Sequence, residues 1–248
     1  MIDKELRETL LKNLDLRISY FSSLEKAADT VVEKKSGALI ALNAEKLVTL
    51  YNKPPLFSRV KNPIFYPDGH PITWFCPTAA PRIPGVELWL KIIEKLNLLG
   101  GKVLLVGSSK IVAHKTLQKL QEDFSKITFH SIDGFQPYEN YYNQITSFKP
   151  DLVFLALGSP KQELLIAEMQ KLHNDCIYMG VGGSFDILVG KTKRAPLFFR
   201  KFGLEFTYRL LKEPKRIFRQ KACLKFLYLF LLGKFEASYE QEATSVCQ

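Results

Sequence analysis

Four short apolar runs recur at a nearly constant interval in the second half of the chain. They begin at Val103, Ile127, Leu152 and Ile177, so the steps between them are 24, 25 and 25 residues. Each run is continuously apolar, which is typical of strands buried on both faces of a parallel sheet. Stretches with helical character separate them, at 110–123, 138–148 and 160–172. This alternation predicts βαβ units and an α/β fold with a parallel sheet.

The flanking parts of the chain extend the pattern. A strand is predicted at 38–42, with a helix from about Ala44 and a further short strand at 63–66. Toward the C-terminus, 204–211 and 214–232 have helical character, with basic residues between Phe, Tyr and Leu. The 248 residues, 46% of them hydrophobic, are enough to bury one large core or two small ones. We predict an α/β domain at 1–198 and a basic helical appendage at 199–248.

The formal charge of +10 is concentrated in one segment. Residues 191–225 hold 12 Lys or Arg against 2 Asp or Glu, and the rest of the chain holds 23 of each sign. Such a segment suits nucleic acid, an anionic membrane or a phosphorylated substrate. The run "FLYLFLL" at 226–232 is too short to span a bilayer but suits a helix lying in the membrane interface. The alternative is a C-terminal helix docked on the core with a solvated basic face.

Compartment and metal content are also constrained by the sequence. The N-terminus is charged and lacks the apolar segment of a secretory signal. The four cysteines lie far apart, without a CxxC motif or paired histidines, which disfavours a zinc site and a disulfide framework: Cys76, Cys176, Cys223 and Cys247. We therefore expect a cytoplasmic protein without a bound metal.

The segment "LGSPKQE", residues 157–163, follows the predicted strand at 152–156 directly. Ser159 is predicted as the N-cap of the next helix, Pro160 as its first residue, and Gln162 as the partner in a capping box. The free N–H groups of a helix start favour phosphate or sugar oxygens. An ordinary strand-to-helix turn explains Ser159 and Pro160 equally well.

The segment "MGVGGSFDILVGKTKRAP", residues 179–196, places three glycines at the end of another strand. It matches neither GxGxxG nor a P-loop, so dinucleotide and P-loop nucleotide binding are disfavoured. Lys193 and Arg194 are candidates to pair with a diphosphate or a carboxylate. A glycine-rich turn with surface cations is the alternative.

Two polar positions follow the predicted strands of the first third. Asn43 precedes Glu45 and Lys46 at a helix start, a pattern that indicates no more than capping. Asp68 lies between Pro67 and a glycine in "YPDGHPITW". Asp-Gly is most simply a turn, but a carboxylate at a strand end is also a candidate general base.

Taken together, these segments resemble the WecG/TagA/CpsF glycosyltransferases, family 26 of that enzyme class, over about 39–220. The matching segments occur in the family's order: "NAEK", "DG", "RIPGVELW", "KVLLVG", "DLVFLALGSPKQE", "YMGVGGSFDILVGKTKRAP" and "GLEFTYRLLKEPKRIFRQ". The resemblance implies a Rossmann-like domain with a C-terminal appendage. It also implies inverting sugar transfer from a UDP-sugar to polyprenyl-diphosphate-linked N-acetylglucosamine at the inner face of the bacterial plasma membrane, with no metal or other cofactor.

The resemblance also implies site residues. Asp68 falls on the family aspartate proposed as the base, and Asn43 on a pocket asparagine. Arginines thought to close over the donor, where they would neutralise the leaving diphosphate, fall on Arg209, Arg216 and Arg219. The donor-holding loops and neighbouring segments supply the other predicted substrate-binding residues: Lys46, Arg82, Gly85, Gly158, Pro160, Lys161, Gln162, Glu163, Gly182, Gly183, Phe185, Asp186, Lys193 and Arg194.

The branch within the family is less closely constrained. "NAEK", "YMGVGG" and "KRAP" are similar to the enterobacterial-common-antigen branch, which transfers N-acetylmannosaminuronic acid, and the extra carboxylate would suit Lys46, Lys193 or Arg194. Transfer of N-acetylmannosamine or glucose stays open, as does a homo-oligomer. His70-Pro71 after the Asp-Gly pair departs from the family pattern, and Ala41 stands where N-acetylmannosamine-transferring members tend to have threonine.

The alternative function from another class is a nucleic-acid-binding protein that uses the basic C-terminal segment. This alternative leaves the strand-end clusters unexplained, so we predict no nucleic-acid partner.

Overall fold

The computed structural model describes residues 7–53, 57–75, 80–193, 196 and 217–239. Within these residues nine strands form one sheet, in the order β6-β5-β7-β8-β3-β4-β2-β1-β9. The strands are β1 Arg7–Leu11, β2 Leu16–Tyr20, β3 Gly37–Leu42, β4 Pro63–Pro67, β5 Gly101–Gly107, β6 Ile127–Ile132, β7 Leu152–Ala156, β8 Ile177–Gly180 and β9 Ala237–Tyr239. The strands from β6 to β2 in this order are parallel, and β1 pairs antiparallel with both β2 and β9.

Helices cover both faces of this sheet. They are α1 Leu24–Glu33, α2 Ala44–Asn52, α3 His70–Thr73, α4 Gly85–Leu99, α5 Lys110–Asp123, α6 Tyr138–Phe148, α7 Lys161–Leu172, α8 Ser184–Leu188 and α9 Ile217–Leu231. One core lies between the sheet and α2, α6, α7 and α9, and the other between the sheet and α1, α4, α5 and α8. The predicted α/β fold with a mostly parallel sheet flanked by helices is confirmed.

Local sequence accounts for several element boundaries. Asn43 and Ser109 each accept a hydrogen bond from a backbone N–H in the first turn of α2 and α5. The continuous apolar run of β7 is buried along its whole length between the two helical layers. The four predicted strands of the second half are confirmed as β5 to β8, and the predicted helices 110–123 and 138–148 as α5 and α6.

The C-terminal helix is part of the main core. Phe226 and Leu229 of α9 are buried in the same core as α2, and Phe226 packs against Phe75 and Phe235. Strand β9 then pairs with β1 at the edge of the sheet. The predicted tail helix at 214–232 is confirmed for Ile217–Leu231, whereas 204–211 and the predicted domain boundary at 198 lie outside the described residues.

No helix in the described part of the chain is long and apolar enough to cross a membrane.

Candidate active site

The carboxyl ends of β3, β4, β5, β7 and β8 lie along one edge of the sheet, called the carboxyl edge below. The chain leaves β3 and β7 into α2 and α7 on one face, and leaves β5 and β8 into α5 and α8 on the other. Where neighbouring strands send their helices to opposite faces, a crevice opens at the ends of the strands. Open α/β sheets bind ligands in such crevices.

Asp68 lies directly after β4 and is held by backbone groups. Its own N–H and that of Gly69 both donate to the Leu42 carbonyl at the end of β3, each at 3.0 Å. The carboxylate oxygen Oδ1 accepts the Gly85 N–H, also at 3.0 Å, and the Arg82 side chain donates to the Asp68 carbonyl. The turn therefore orients the side chain, and the carboxylate is partly exposed. Both predicted properties of this residue, turn geometry and a strand-end carboxylate, are present together.

A buried tyrosine on β4 packs beneath the glycine that holds the Asp68 side chain. Tyr66, on β4, is fully buried, and burial followed by the nearby Asp68 charge raises the pKa of its hydroxyl well above its ordinary value. Gly85 lies so close that a Cβ at that position would be 2.8 Å from Tyr66 Oη. Glycine at the start of α4 is what allows its N–H to reach Asp68.

Asn43 lies beside this turn. Its Oδ1 accepts the Lys46 N–H at 2.9 Å, which confirms the predicted helix cap. A Cβ built on Gly69 would be 3.1 Å from the Asn43 Cβ. The structure therefore brings together three of the predicted residues, Asn43, Asp68 and Gly85, at the ends of β3 and β4.

Lys46 and Glu163, both predicted to bind substrate, contact each other. Lys46 Nζ is 2.7 Å from Glu163 Oε1, and the two side chains are 9% and 1% exposed. Burial raises the pKa of the Glu163 carboxyl, but the charge and hydrogen bond of Lys46, helped by the Gln162 amide, outweigh it and leave the pKa lowered. Glu163 is therefore ionised although it is buried.

The predicted capping box at α7 is wrong. The helix begins at Lys161 with Pro160 as its N-cap, and no side chain of the cap accepts a hydrogen bond. The Gln162 side chain lies instead against Gly180 at the end of β8: its Nε2 donates to Glu163 Oε1 of the same helix, and its Oε1 accepts the Gly182 N–H at 3.2 Å. Gln162 is 3% exposed, so burial and these contacts, rather than capping, explain its place in the motif.

Two glycines leave open space beside this network. Gly158 and Gly182 have φ values of 75° and 53°, and a Cβ built on either would meet no atom of the described residues within 4 Å. At Gly183, too, a built Cβ would have no neighbour within 4 Å in the described part of the chain. Backbone exposed in this way can lie against a flat or charged ligand.

A second polar cluster connects β5 to α8. Asp186 Oδ2 accepts a hydrogen bond from Ser108 Oγ at 3.0 Å, and its Oδ1 is 2.8 Å from Lys191 Nζ. Ser108 and Lys191 are not among the predicted residues; the position of Ser108 directly after the β5 run is the sequence signal for the first. Phe185, predicted to touch substrate, is instead fully buried against Trp89, with ring centroids 5.5 Å apart. It supports the loop from the core side.

The remaining predicted residues are less tightly placed. Lys161 donates to the Gly134 carbonyl at 3.4 Å, and Lys193 is exposed. Arg194, Arg209 and Arg216 lie outside the described residues, as does the side chain of Arg219. Among the described residues, no group of three or more His, Cys, Asp or Glu side chains is arranged to hold a metal ion.

The mostly parallel sheet flanked by helices is a Rossmann-like α/β fold, and it carries a carboxylate, a buried amide and glycine-rich loops at its carboxyl edge, where such folds bind ligands. Within that fold class the chain belongs to the glycosyl transferase WecG/TagA/CpsF family, whose model matches residues 11–239. Its substrates are therefore a sugar donor and an acceptor, and the family supports a role in polysaccharide biosynthesis.

Proposed function

We propose that the protein transfers N-acetylmannosaminuronic acid, or a closely related sugar, from a UDP-sugar to polyprenyl-diphosphate-linked N-acetylglucosamine, with inversion and without a divalent metal. This would be a step in the assembly of a cell-surface polysaccharide of the enterobacterial-common-antigen type. The single observation that carries the proposal is the position of Asp68. A backbone-held, partly exposed carboxylate lies at the carboxyl edge, beside the glycine-rich loops of a chain that belongs to a glycosyltransferase family.

In this mechanism Asp68 is the general base. The acceptor hydroxyl oxygen attacks the anomeric carbon of the donor, the bond from that carbon to the UDP oxygen breaks, and the hydroxyl proton passes to the carboxylate. The Gly85 N–H holds Oδ1, and no described residue donates a hydrogen bond to Oδ2. The second oxygen is thus the one assigned to the acceptor hydroxyl.

The donor is assigned to the loops 158–163 and 180–186. The open backbone at Gly158 and Gly182 supports this assignment, because a Cβ built at either glycine would meet no described residue within 4 Å. Arg209, Arg216 and Arg219 stay the proposed cations for the leaving diphosphate. Lys193 and Arg194 stay the proposed partners of a uronate carboxylate.

We also propose that the protein binds the inner face of the plasma membrane through α9. An exposed apolar stripe runs along the helix at the spacing of one face: Leu224, Leu227, Tyr228 and Leu231. Lys221 and Lys225 lie exposed on the same helix, which suits an anionic lipid surface.

The proposal is tested by offering UDP-N-acetylmannosaminuronic acid, UDP-N-acetylmannosamine and UDP-glucose with a polyprenyl-diphosphate-N-acetylglucosamine analogue, with and without a chelator. Asp68→Asn is expected to abolish transfer while leaving UDP binding nearly intact, since the amide keeps the shape but cannot take the proton. The matched control is Asp175→Asn, which changes an exposed carboxylate just before β8, at the opposite edge of the sheet. Near-normal turnover by Asp68→Asn would refute the base assignment, and no transfer from any donor would refute the reaction.

A further inference from the structure

A buried ion pair, Lys46–Glu163, connects two helix starts at the carboxyl edge. Lys46 is in the first turn of α2 after β3, and Glu163 is in the first turn of α7 after β7. Strand β8 lies between β3 and β7 in the sheet, so the 2.7 Å ion pair passes over the end of β8. Taking two charges out of water is costly unless they are paired and hydrogen-bonded. A pair at this place, beside the crevice, requires an explanation other than simple packing.

The Gln162 amide connects the pair to the loop after β8. It lies so close to Gly180 that a Cβ there would be 2.2 Å from Gln162 Nε2. Its two ends make different contacts: Nε2 donates to Glu163 Oε1 at 3.0 Å, and Oε1 accepts the Gly182 N–H at 3.2 Å. The three loops that follow β7, β8 and β3 are thus joined through one amide and one ion pair.

The orientation of that amide depends on charge. An ionised carboxylate only accepts hydrogen bonds, so the Gln162 group facing Glu163 has to be the NH₂. The carbonyl oxygen is then directed to Gly182, whose N–H needs an acceptor. Lys46 keeps Glu163 ionised in spite of its burial. Reversal of the charge facing the amide would turn the amide around and present its NH₂ to the Gly182 N–H, donor against donor.

We propose that the Lys46–Glu163 pair is a positioning device: it sets the orientation of the Gln162 amide and so fixes the glycine-rich loop between β8 and α8. The pair acts through Gln162 and does not itself bind substrate, so Lys46 is not the cation that receives a donor carboxylate. The consequence for donor binding rests on the proposed function, which assigns the donor to this loop. The effect on the orientation of the loop itself does not depend on the proposed function.

A charge-swapped double variant, Lys46→Glu with Glu163→Lys, separates positioning from mere stabilisation. The double variant still pairs one acid with one base, and the combined length of the two side chains is unchanged. If the pair only stabilises the fold, the double variant should recover the stability that Lys46→Met loses by leaving Glu163 buried without its partner. The new ammonium at position 163 only donates, so it draws the Gln162 carbonyl away from Gly182. The matched control is the swap of the exposed pair on the same helix, Glu168→Lys with Lys171→Glu, whose charges lie 2.6 Å apart.

The measurements are thermal stability, hydrogen exchange of the Gly182 amide and the donor KM and kcat. We expect the swap to be more stable than Lys46→Met, yet to exchange Gly182 faster by about threefold to tenfold, the effect of one lost hydrogen bond. The donor KM should rise by a similar factor with kcat changed less, and the control swap should match the wild type in all three. Normal Gly182 protection in a stable swap variant would overturn the proposal.

Gln162→Met keeps the test decisive if the swap variant does not fold. It removes the acceptor for Gly182 while both charges stay paired, so Gly182 should again exchange faster; unchanged exchange would overturn the proposal. Exchange needs no substrate. If Gly182 exchanges faster in the variants but the wild-type protein transfers no sugar, the proposed function alone is refuted. If the wild-type protein is active but exchange in the variants is unchanged, the positioning role alone is refuted.

Discussion

The environment of Asp68 depends on the absence of one methyl group. Gly85 donates its N–H to Asp68 Oδ1 at 3.0 Å, and this approach is open only because no Cβ stands between the start of α4 and Tyr66 Oη. The Tyr66 hydroxyl is buried without a hydrogen-bond partner in the described structure, so it adds bulk but no bond. The glycine and the tyrosine hydroxyl are therefore coupled by steric contact.

Gly85→Ala should lower kcat and destabilise the fold, by about 1–3 kcal/mol, because an added methyl group in a packed region forces α4 away from Asp68. Removing the tyrosine oxygen in Tyr66→Phe/Gly85→Ala should recover most of both losses. Chemical denaturation and initial-rate measurements check this. Tyr66→Phe alone is the control and should be nearly neutral in stability, since it removes a hydroxyl that makes no bond. A double variant no better than Gly85→Ala would disprove the steric coupling.

Individual contacts in the site are the least predictable part of the structure. The sequence places Lys46 and Glu163 at two helix starts, but their pairing depends on β8 lying between β7 and β3, which is a property of the sheet order. The same holds for Ser108, which follows β5, and Asp186, which follows β8, because they meet across the end of the intervening strand β7. Strand-end position predicts that polar residues gather, whereas the strand order decides which of them touch.

Elements with their own local signals are well predicted. Helices α5 and α6 begin and end where the periodicity places them, and the four apolar runs are strands. By contrast, α1, α4, β1, β2 and β9 are not among the predicted elements. For α4 the signal exists, since Leu88, Trp89, Ile92 and Ile93 recur at helical spacing and are buried. Strand β9 is a short edge strand that depends on pairing with β1, and no local pattern marks either strand.

Helix α9 presents apolar side chains to two sides. One side, with Phe226 and Leu229, is buried in the core, and the opposite stripe of Leu224, Leu227 and Leu231 is 68%, 42% and 75% exposed. Exposed apolar patches of this kind mark binding surfaces rather than packing requirements.

Leu227→Asp/Leu231→Asp should reduce co-sedimentation with anionic liposomes by about tenfold or more, because each change removes buried apolar area and adds a repelled charge. Thermal stability should hardly change, since both positions point away from the core. The control is Leu98→Asp/Leu99→Asp, two exposed leucines at the end of α4. Salt-sensitive binding to DNA with unchanged liposome binding would instead favour the nucleic-acid alternative.

At the scale of the whole molecule, the C-terminal part closes the fold. Phe226, Leu229 and Phe235 are buried in the core that also holds β1 and β2 residues, and β9 pairs with β1. Lys12 N–H also donates to the Glu236 carbonyl at 2.9 Å. The two ends of the described chain are thus tied together in the sheet, and the helix at 217–231 contributes to the stability of the α/β domain. Deletion of everything after residue 200 would therefore strip apolar cover from that domain as well as remove the proposed membrane-binding helix.

Phe226→Ala should therefore destabilise the entire protein by about 3–5 kcal/mol, the usual cost of truncating a buried phenylalanine. Its ring lies 2% exposed against Phe75 and Phe235, and these partners belong to different parts of the chain. Unfolding should stay a single transition that shifts as one when followed by circular dichroism and by tryptophan fluorescence. Tyr228→Ala, at a position 63% exposed on the same helix, is the control and should change stability by less than about 1 kcal/mol. If the C-terminal helix instead belonged to an independent appendage, Phe226→Ala would shift a separate, earlier unfolding transition and leave the main unfolding transition unchanged.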